Sequence, residues 1–336
     1  MKKRLKFTGD HLTLVLTMAA YGLIAFLLYN GGLTRQISNM LIPVSVYIVL
    51  AVSLNLVVGL LGELSLGHAG FMSVGLFSGC MVSIALAGKV PFWLQLSLSM
   101  LIGGLVAAFF GFVVGLPALR LKGDYLAIVT LACGEIIKNV ITNLKATGGA
   151  LGLNTGAIYS NVKTLLPYAI ALVLLTVVVM TNLKKSMHGR AIMAIRDNRI
   201  AAESVGIHVT QFKLTVFMLA AFFAGAAGTL YGHFFANVKA ASFDYNMSIE
   251  ILVIVVLGGM GSVSGSVIAA IVLQALPEAM REFADYRMLI YAVVLILVML
   301  VTNNPTLKEY AEKPGKWLRS RWAELSNKGA KGGAGK

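Results

Sequence analysis

The residues of this chain that are able to do chemistry stand almost alone in apolar surroundings. Asn55, Glu63, Ser65 and His68 fall within "SLNLVVGLLGELSLGHAGFMSVG" (53–75), Glu135 and Lys138 within "GEIIKNVIT" (134–142), and Glu250 opens "EILVIVVLGGMGSVSGSVIAAIVLQAL" (250–276). Carboxylates, an imidazole and an amide in such runs can pair with one another, bind a polar solute or sit beside water. They form no known enzyme motif. The chain has no Gly-x-x-x-x-Gly-Lys-Ser/Thr phosphate loop and no Gly-x-Ser-x-Gly elbow. Its five histidines (His11, His68, His188, His208, His233) lack metal-protease spacing. "GGMGSVSG" (258–265) is glycine-rich like a nucleotide loop but lacks the lysine. The expectation is therefore no catalytic residue, no metal and no cofactor held by this chain.

The elements that must carry these residues are membrane spans. Of 336 residues, 58% are hydrophobic and 12% charged, against about 25% charged in soluble domains. Apolar runs long enough for a hydrocarbon core of about 30 Å occupy 11–29, 41–61, 64–87, 92–118, 124–144, 165–183, 212–236 and 288–302. The stretch 247–276 is apolar too, but Gly258, Gly259, Gly261 and Gly265 interrupt it. The fold class is all-α: a polytopic transmembrane helical bundle of about 8 full spans plus a re-entrant helix hairpin at 247–276. "MKKRLK" leads into a first span with no small-x-small cleavage site, so that span is read as retained.

The net charge of +14 comes from basic residues at span ends, which is the positive-inside pattern and not a nucleic-acid footprint. With a cytoplasmic N-terminus (1–10), the basic loops and the tail 303–336 fall inside, provided that 247–276 enters and leaves on one side through its glycine bend. The permease body is then 11–302 and both termini are cytoplasmic. Cys80 and Cys133, both in apolar runs, are packing residues.

Between two spans lies one ordered polar loop, 184–211. Ala191 to Ala202 is rich in helix formers, Gly189 and Gly206 bracket it, and Asp197 or Asn198 is placed to cap a second short helix. Ile192, Met193, Ile195 and Ile200 alternate with Arg190, Arg196, Arg199 and Glu203. Such a helix either docks a cytoplasmic partner or lies on lipid head groups.

Four segments, in order, resemble LivM-type permeases, the branched-chain amino acid subunits of ATP-binding-cassette importers. They are 53–75, "LRLKGDYLAIVTLACGEIIKNVITNLKATGG" (119–149), "GRAIMAIRDNRIAAESVGIHVTQFKLTVFMLAAFFAGAAGTLYG" (189–232) and "VIVVLGGMGSVSGSVIAA" (253–270). The family often has Gly-Gly-Pro-Asn-Gly where this chain has Gly148-Gly149-Ala150-Leu151-Gly152.

The resemblance implies an importer permease fold in a bacterial inner membrane and a path shared with a second homologous, LivH-like permease subunit. It also implies two cytoplasmic ATPases carrying ATP-Mg and an external amino-acid-binding protein. On this analogy Gly189, Arg190, Ala194, Arg196, Asp197, Ala202, Glu203 and Gly206 form the ATPase-coupling element, Arg190 and Arg196 offering donors to a groove on the ATPase. Asn55, Glu63, Ser65, His68, Gly70, Glu135 and Glu250 are the path or gating candidates, and Gly258, Gly259 and Gly261 the hairpin bend.

Several of these have plain structural alternatives. Residues 62–70 read as a helix break lining a hydrated cavity, or equally as a small-residue seam with a hydrogen-bonded imidazole. Glu135 and Lys138, three apart, suit a buried pair, and Glu250 suits helix capping. The rival functions are permeation of urea, short-chain amides or sugars within the same superfamily, and a self-sufficient secondary transporter. The latter leaves the polar loop without a role.

Overall fold

The computed structural model describes residues 34–121 and 123–279, with positions 21, 22, 28, 32, 292, 293 and 296. The N-terminal segment 1–10, most of 11–29, nearly all of 288–302 and the tail 303–336 lie outside the described residues. Two contact-defined units are distinguished, Met1–Ala275 and Leu276–Lys336, and the packing below belongs to the first.

The helices are α1 (Arg35–Asn55), continued as a π-helix (Leu56–Leu61), α2 (His68–Leu86), α3 (Phe92–Ala118), α4 (Asp124–Asn143), α5 (Val162–Lys185), α6 (Met187–Asp197), α7 (Arg199–Ser204), α8 (Val209–Phe234), α9 (Tyr245–Gly258) and α10 (Val263–Ala279). Seven helices among the described residues are long and apolar enough to cross a membrane, the last counted from Ala240 to Gly258. The runs expected at 41–61, 92–118, 124–144, 165–183 and 212–236 are thus helices, displaced at their ends by a few residues. The run 64–87 begins as helix only at His68.

α1 is the central element. In its most apolar stretch 89% of residues are buried, and it packs on α5, α8 and α9. A helix apolar all round belongs at the centre of a bundle. In lipid, apolar area alone gives helices little reason to associate, so close approach over small residues matters. α2, α3 and α8 meet in such a seam: a Cβ on Gly75 would stand 2.1 Å from Gly225 Cα, and one on Gly225 would stand 2.3 Å from Ala107 Cβ.

At one end, here the strand end, β1 (Leu153–Asn154) and β2 (Asn237–Val238) pair antiparallel, Leu153 opposite Val238 and Asn154 opposite Asn237. Thr155 N–H donates to Ala236 O (3.0 Å) and Ser160 N–H to His233 O (3.0 Å), tying the α4–α5 connection to the end of α8. At the opposite, loop end, α6 and α7 bridge α5 to α8.

The glycine-interrupted stretch is a helix–turn–helix hairpin. Gly259 (φ 88) and Gly261 (φ 82) take the left-handed backbone that the turn requires. Gly258 is the last residue of α9, not part of the turn; a Cβ there would meet Gly265 at 2.6 Å, so it sets the approach of the two arms. α9 has 14 residues and α10 has 17. At 1.5 Å per residue these arms reach roughly 21 and 25 Å, and the first, counted with its preceding turn from Ala240, is the seventh helix long enough to cross.

Candidate functional site

The site is built where the polar loop meets the loop ends of α1 and the hairpin. Ser186 caps α6 by accepting from Gly189 N–H (3.1 Å), and Asn198 caps α7 by accepting from Ala201 N–H (3.0 Å). Asn198, of the two capping candidates, is therefore the cap. Gly189 lies inside the first turn of α6 and does not precede it; a Cβ there would stand 2.1 Å from Leu183 O. Gly206 does end α7, with φ 86.

Ile192 and Ile195 are buried beneath the loop, with Ala202 beside them. Met187, Ile200 and Val205 are 75–80% exposed. Ala194 is exposed as well, and an exposed Arg199–Glu203 ion pair (3.0 Å) flanks Ile200. Apolar side chains so exposed on a charged loop mark a contact surface. Arg190 folds back to Lys185 O (3.2 Å).

Arg196 departs from its expected outward role. Its Nη1 donates to Gly59 O in the π-helix (3.1 Å), while Nε and Nη2 donate to Asp197 Oδ1 (both 3.0 Å). The cause is local. A helix end leaves its last carbonyls without intrahelical donors, and a basic side chain can supply them. Gly62, at φ 76, ends the π-helix and leaves room for the arginine stem: a Cβ there would stand 2.5 Å from Arg196 Cγ.

Lys184, at the end of α5, donates to Gly261 O in the hairpin turn (2.7 Å). Asn55 completes the junction. Its Oδ1 accepts from Gly261 N–H (2.7 Å), and Nδ2 donates to Ser262 O and Ser266 Oγ (both 2.9 Å). The amide is thus satisfied on both sides. Gly59 must be glycine for this approach, because a Cβ would stand 2.0 Å from Asn55 Oδ1 and 2.1 Å from Gly261 N. The loop therefore holds both the π-helix and the hairpin turn through hydrogen bonds.

Within residues 62–70, Gly62 is exposed, Glu63, Leu64 and Leu66 are half-buried, and Ser65 and 67–70 are buried. The break spans 62–67, and His68, Ala69 and Gly70 already belong to α2. Ser65 and His68 are buried. Cβ atoms on Gly67 and Gly70 would press against Thr130 O (2.6 Å) and Gly134 Cα (2.8 Å) of α4, which is a small-residue seam. Ser53 Oγ donates to Leu50 O (3.0 Å), so its single proton is used and His68 Nε2–H donates to it (2.9 Å). Glu63 pairs with the buried Lys213 of α8, close to the junction.

Glu250 is not a cap. Asp244 caps α9 by accepting from Met247 N–H (3.2 Å), and Glu250 lies further along that helix. It accepts from Tyr47 Oη (3.2 Å) and Gln274 Nε2 (2.9 Å), joining α1 to both hairpin arms. Glu135 pairs with Lys138 and accepts from Tyr245 N–H (2.9 Å) at the start of α9.

The π-helix, Gly59, Lys184 and Lys213 carry no signal that separates them in the sequence from ordinary span ends. A buried chain at the strand end was equally hidden. There Gln95 Nε2 donates to Ser83 Oγ (2.9 Å), Ser83 to His233 Nε2 (2.8 Å), and His233 Nδ1–H to Thr229 O (2.9 Å).

Residues 36–301 match the family model described as branched-chain amino acid transport system / permease component. The chain belongs to this family. It is 37% identical over 286 residues to the high-affinity branched-chain amino acid transport system permease protein LivM of Salmonella typhimurium, and equally to that of Escherichia coli K12, covering 76% of this chain and 66% of each relative. The chain thus spans just under two thirds of the length of these relatives. The permease protein LivH of Salmonella typhimurium is 22% identical over 287 residues, covering 80% of this chain and 92% of LivH. No solved structure matches the chain. A multi-pass membrane permease component of this family is what the family model and the seven apolar helices support together.

Proposed function

We propose that this LivM-type permease forms part of the membrane path of an ATP-binding-cassette importer for branched-chain amino acids. An external binding protein delivers leucine, isoleucine or valine, a second, LivH-like permease completes the path, and two separate ATPases bind ATP-Mg and drive the cycle. The observation that carries this reading is the α6–α7 loop. It exposes Met187, Ile200 and Val205 at its surface, yet sends Arg196 to a carbonyl of the π-helix, while Lys184 at the adjoining end of α5 holds the hairpin turn. A loop held in this way passes a push at its surface directly to the spans.

The loop end lies in the cytoplasm and the strand end outside, following the basic residues. The hairpin α9–α10 is re-entrant and returns to the outside, so that 288–302 brings the tail back to the cytoplasm. Reconstituted alone in liposomes, the chain takes up no leucine and hydrolyses no ATP. Added ATPases, second permease and binding protein restore ATP-dependent uptake. Uptake by the chain alone under an ion gradient would overturn the importer reading in favour of a secondary transporter.

A further inference from the structure

Two spans of the bundle are more exposed than buried in different ways. α3 presents Trp93, Leu98, Leu101, Leu105, Phe109 and Val113, and the whole helix has no charged residue. That is a face for lipid. α4 has the lowest hydropathy and the smallest buried share of the seven candidate spans. Its exposed positions mix Ile128, Ile136 and Val140 with Ala132, Asn139 and Asn143. Beside them lies the Glu135–Lys138 ion pair, whose side chains remain 27% and 19% exposed.

Charges and amides placed so are costly against hydrocarbon, at least about 2.5–3.5 kcal/mol per charge on insertion scales. The α4 face is therefore turned to protein or to water, and not to lipid. Glu135 sits eight and Lys138 five residues from the strand end of α4 at Asn143, roughly 12 and 8 Å below the side where the solute enters.

Resting on the importer reading above, we propose that Glu135 and Lys138 form the station at which the entering amino acid first meets the path. The argument is one of charge. The solute is a zwitterion with an apolar side chain, electrically neutral but carrying an ammonium and a carboxylate on the same carbon. The pair offers the same two charges in the opposite sense, one turn of helix apart, with no net charge to trap an ion.

The solute's ammonium takes the place of Lys138 at Glu135, and its carboxylate is taken by the freed Lys138 Nζ. One protein–protein ion pair is exchanged for two protein–solute pairs, and no charge is left bare at any point. The apolar side chain passes over Ile128, Ile136 and Val140. Glu135 keeps its second oxygen on Tyr245 N–H, which holds the carboxylate in place against α9.

The test uses the importer assembled from this chain and its partners in proteoliposomes, with radiolabelled leucine uptake and ATP turnover read together. Glu135→Gln with Lys138→Gln keeps an acceptor for Tyr245 N–H and removes both charges. Uptake per ATP falls at least tenfold while assembly is unchanged.

If the wild-type assembly carries no leucine, the importer reading itself fails and the station with it. If the wild type carries leucine and the double variant does so within twofold, the station alone is overturned. An Asn139→Cys variant, in a background of Cys80→Ala and Cys133→Ala, serves if the double variant does not assemble. Its thiol reacts with a membrane-impermeant maleimide in the assembled importer, and leucine-loaded binding protein with ATP slows the reaction. A thiol that does not react places α4 away from the path and overturns the proposal.

Discussion

Single residues decide whether the junction at the loop end exists. Gly59→Ala puts a methyl group where Asn55 Oδ1 and Gly261 N now stand, at 2.0 and 2.1 Å. Neither neighbour is the free end of a flexible chain, because Asn55 is fixed by three hydrogen bonds. The expected loss is about 1–3 kcal/mol, typical of overpacking, read as a lower unfolding temperature in detergent. Gly88→Ala is the comparison, since nothing lies within 4 Å of its would-be Cβ and only its positive φ resists the change.

Arg196 belongs to the same scale. Arg196→Glu places a carboxylate against the Gly59 carbonyl and loses the donor. ATP turnover by the assembled importer should persist while leucine uptake falls at least tenfold, with the membrane subunit still folded. Arg196→Lys, which keeps one donor, should recover part of the uptake. Uptake per ATP equal to wild type in the glutamate variant would remove this contact from the mechanism.

At the scale of elements, α6 and α7 divide their faces cleanly. Ile192, Ile195 and Ala202 face the bundle, and Ile200 and Val205 face away. Ile200→Asp or Val205→Asp leaves the buried face intact, so thermal stability of the isolated subunit should change by no more than about 0.5 kcal/mol, as for surface changes in general. Copurification of the ATPases should be lost in the same variants. Retention of the ATPases at wild-type stoichiometry would show that the loop lies on lipid.

Element by element, much of this was legible. The apolar runs announced five of the spans closely, and the glycine run announced the hairpin. The break after Leu61 was legible as a break, since Gly62, Glu63 and Ser65 suit no lipid-facing helix. What stood on its far side was not. His68 suited a hydrated cavity or a buried, hydrogen-bonded imidazole equally, and it is held by Ser53 on a neighbouring helix. The π-helix left no trace, because it is a rare local change of hydrogen-bond spacing inside an unbroken apolar run, and hydropathy reads the run alone.

For the whole molecule, the decisive question is how many times the chain crosses the membrane. α9 and α10 form a hairpin whose turn is fastened to Asn55 and Lys184 at the loop end, so their other ends lie together on the opposite side. With the orientation proposed above, a cysteine at Glu278 should react with an impermeant reagent from outside intact cells. Reaction only after permeabilisation would invert the orientation assigned to the bundle.

Composition and periodicity alone determined the apolar surroundings of this protein, the order and approximate extents of its helices among the described residues, and the position of the polar loop 184–211. Lipid imposes a single strong condition on a chain, that backbone groups be satisfied within apolar segments of sufficient length, and that condition is written locally. The tertiary structure alone decided which polar groups meet. Asn55 and Ser262 are 207 residues apart in the chain, and Arg196 and Gly59 are 137 apart. Helical spacing tells which face a side chain occupies but not what lies across from it. So Arg196, read as a donor to an ATPase groove, also reaches Gly59 O, and Glu250, read as a gating or capping residue, bridges three helices.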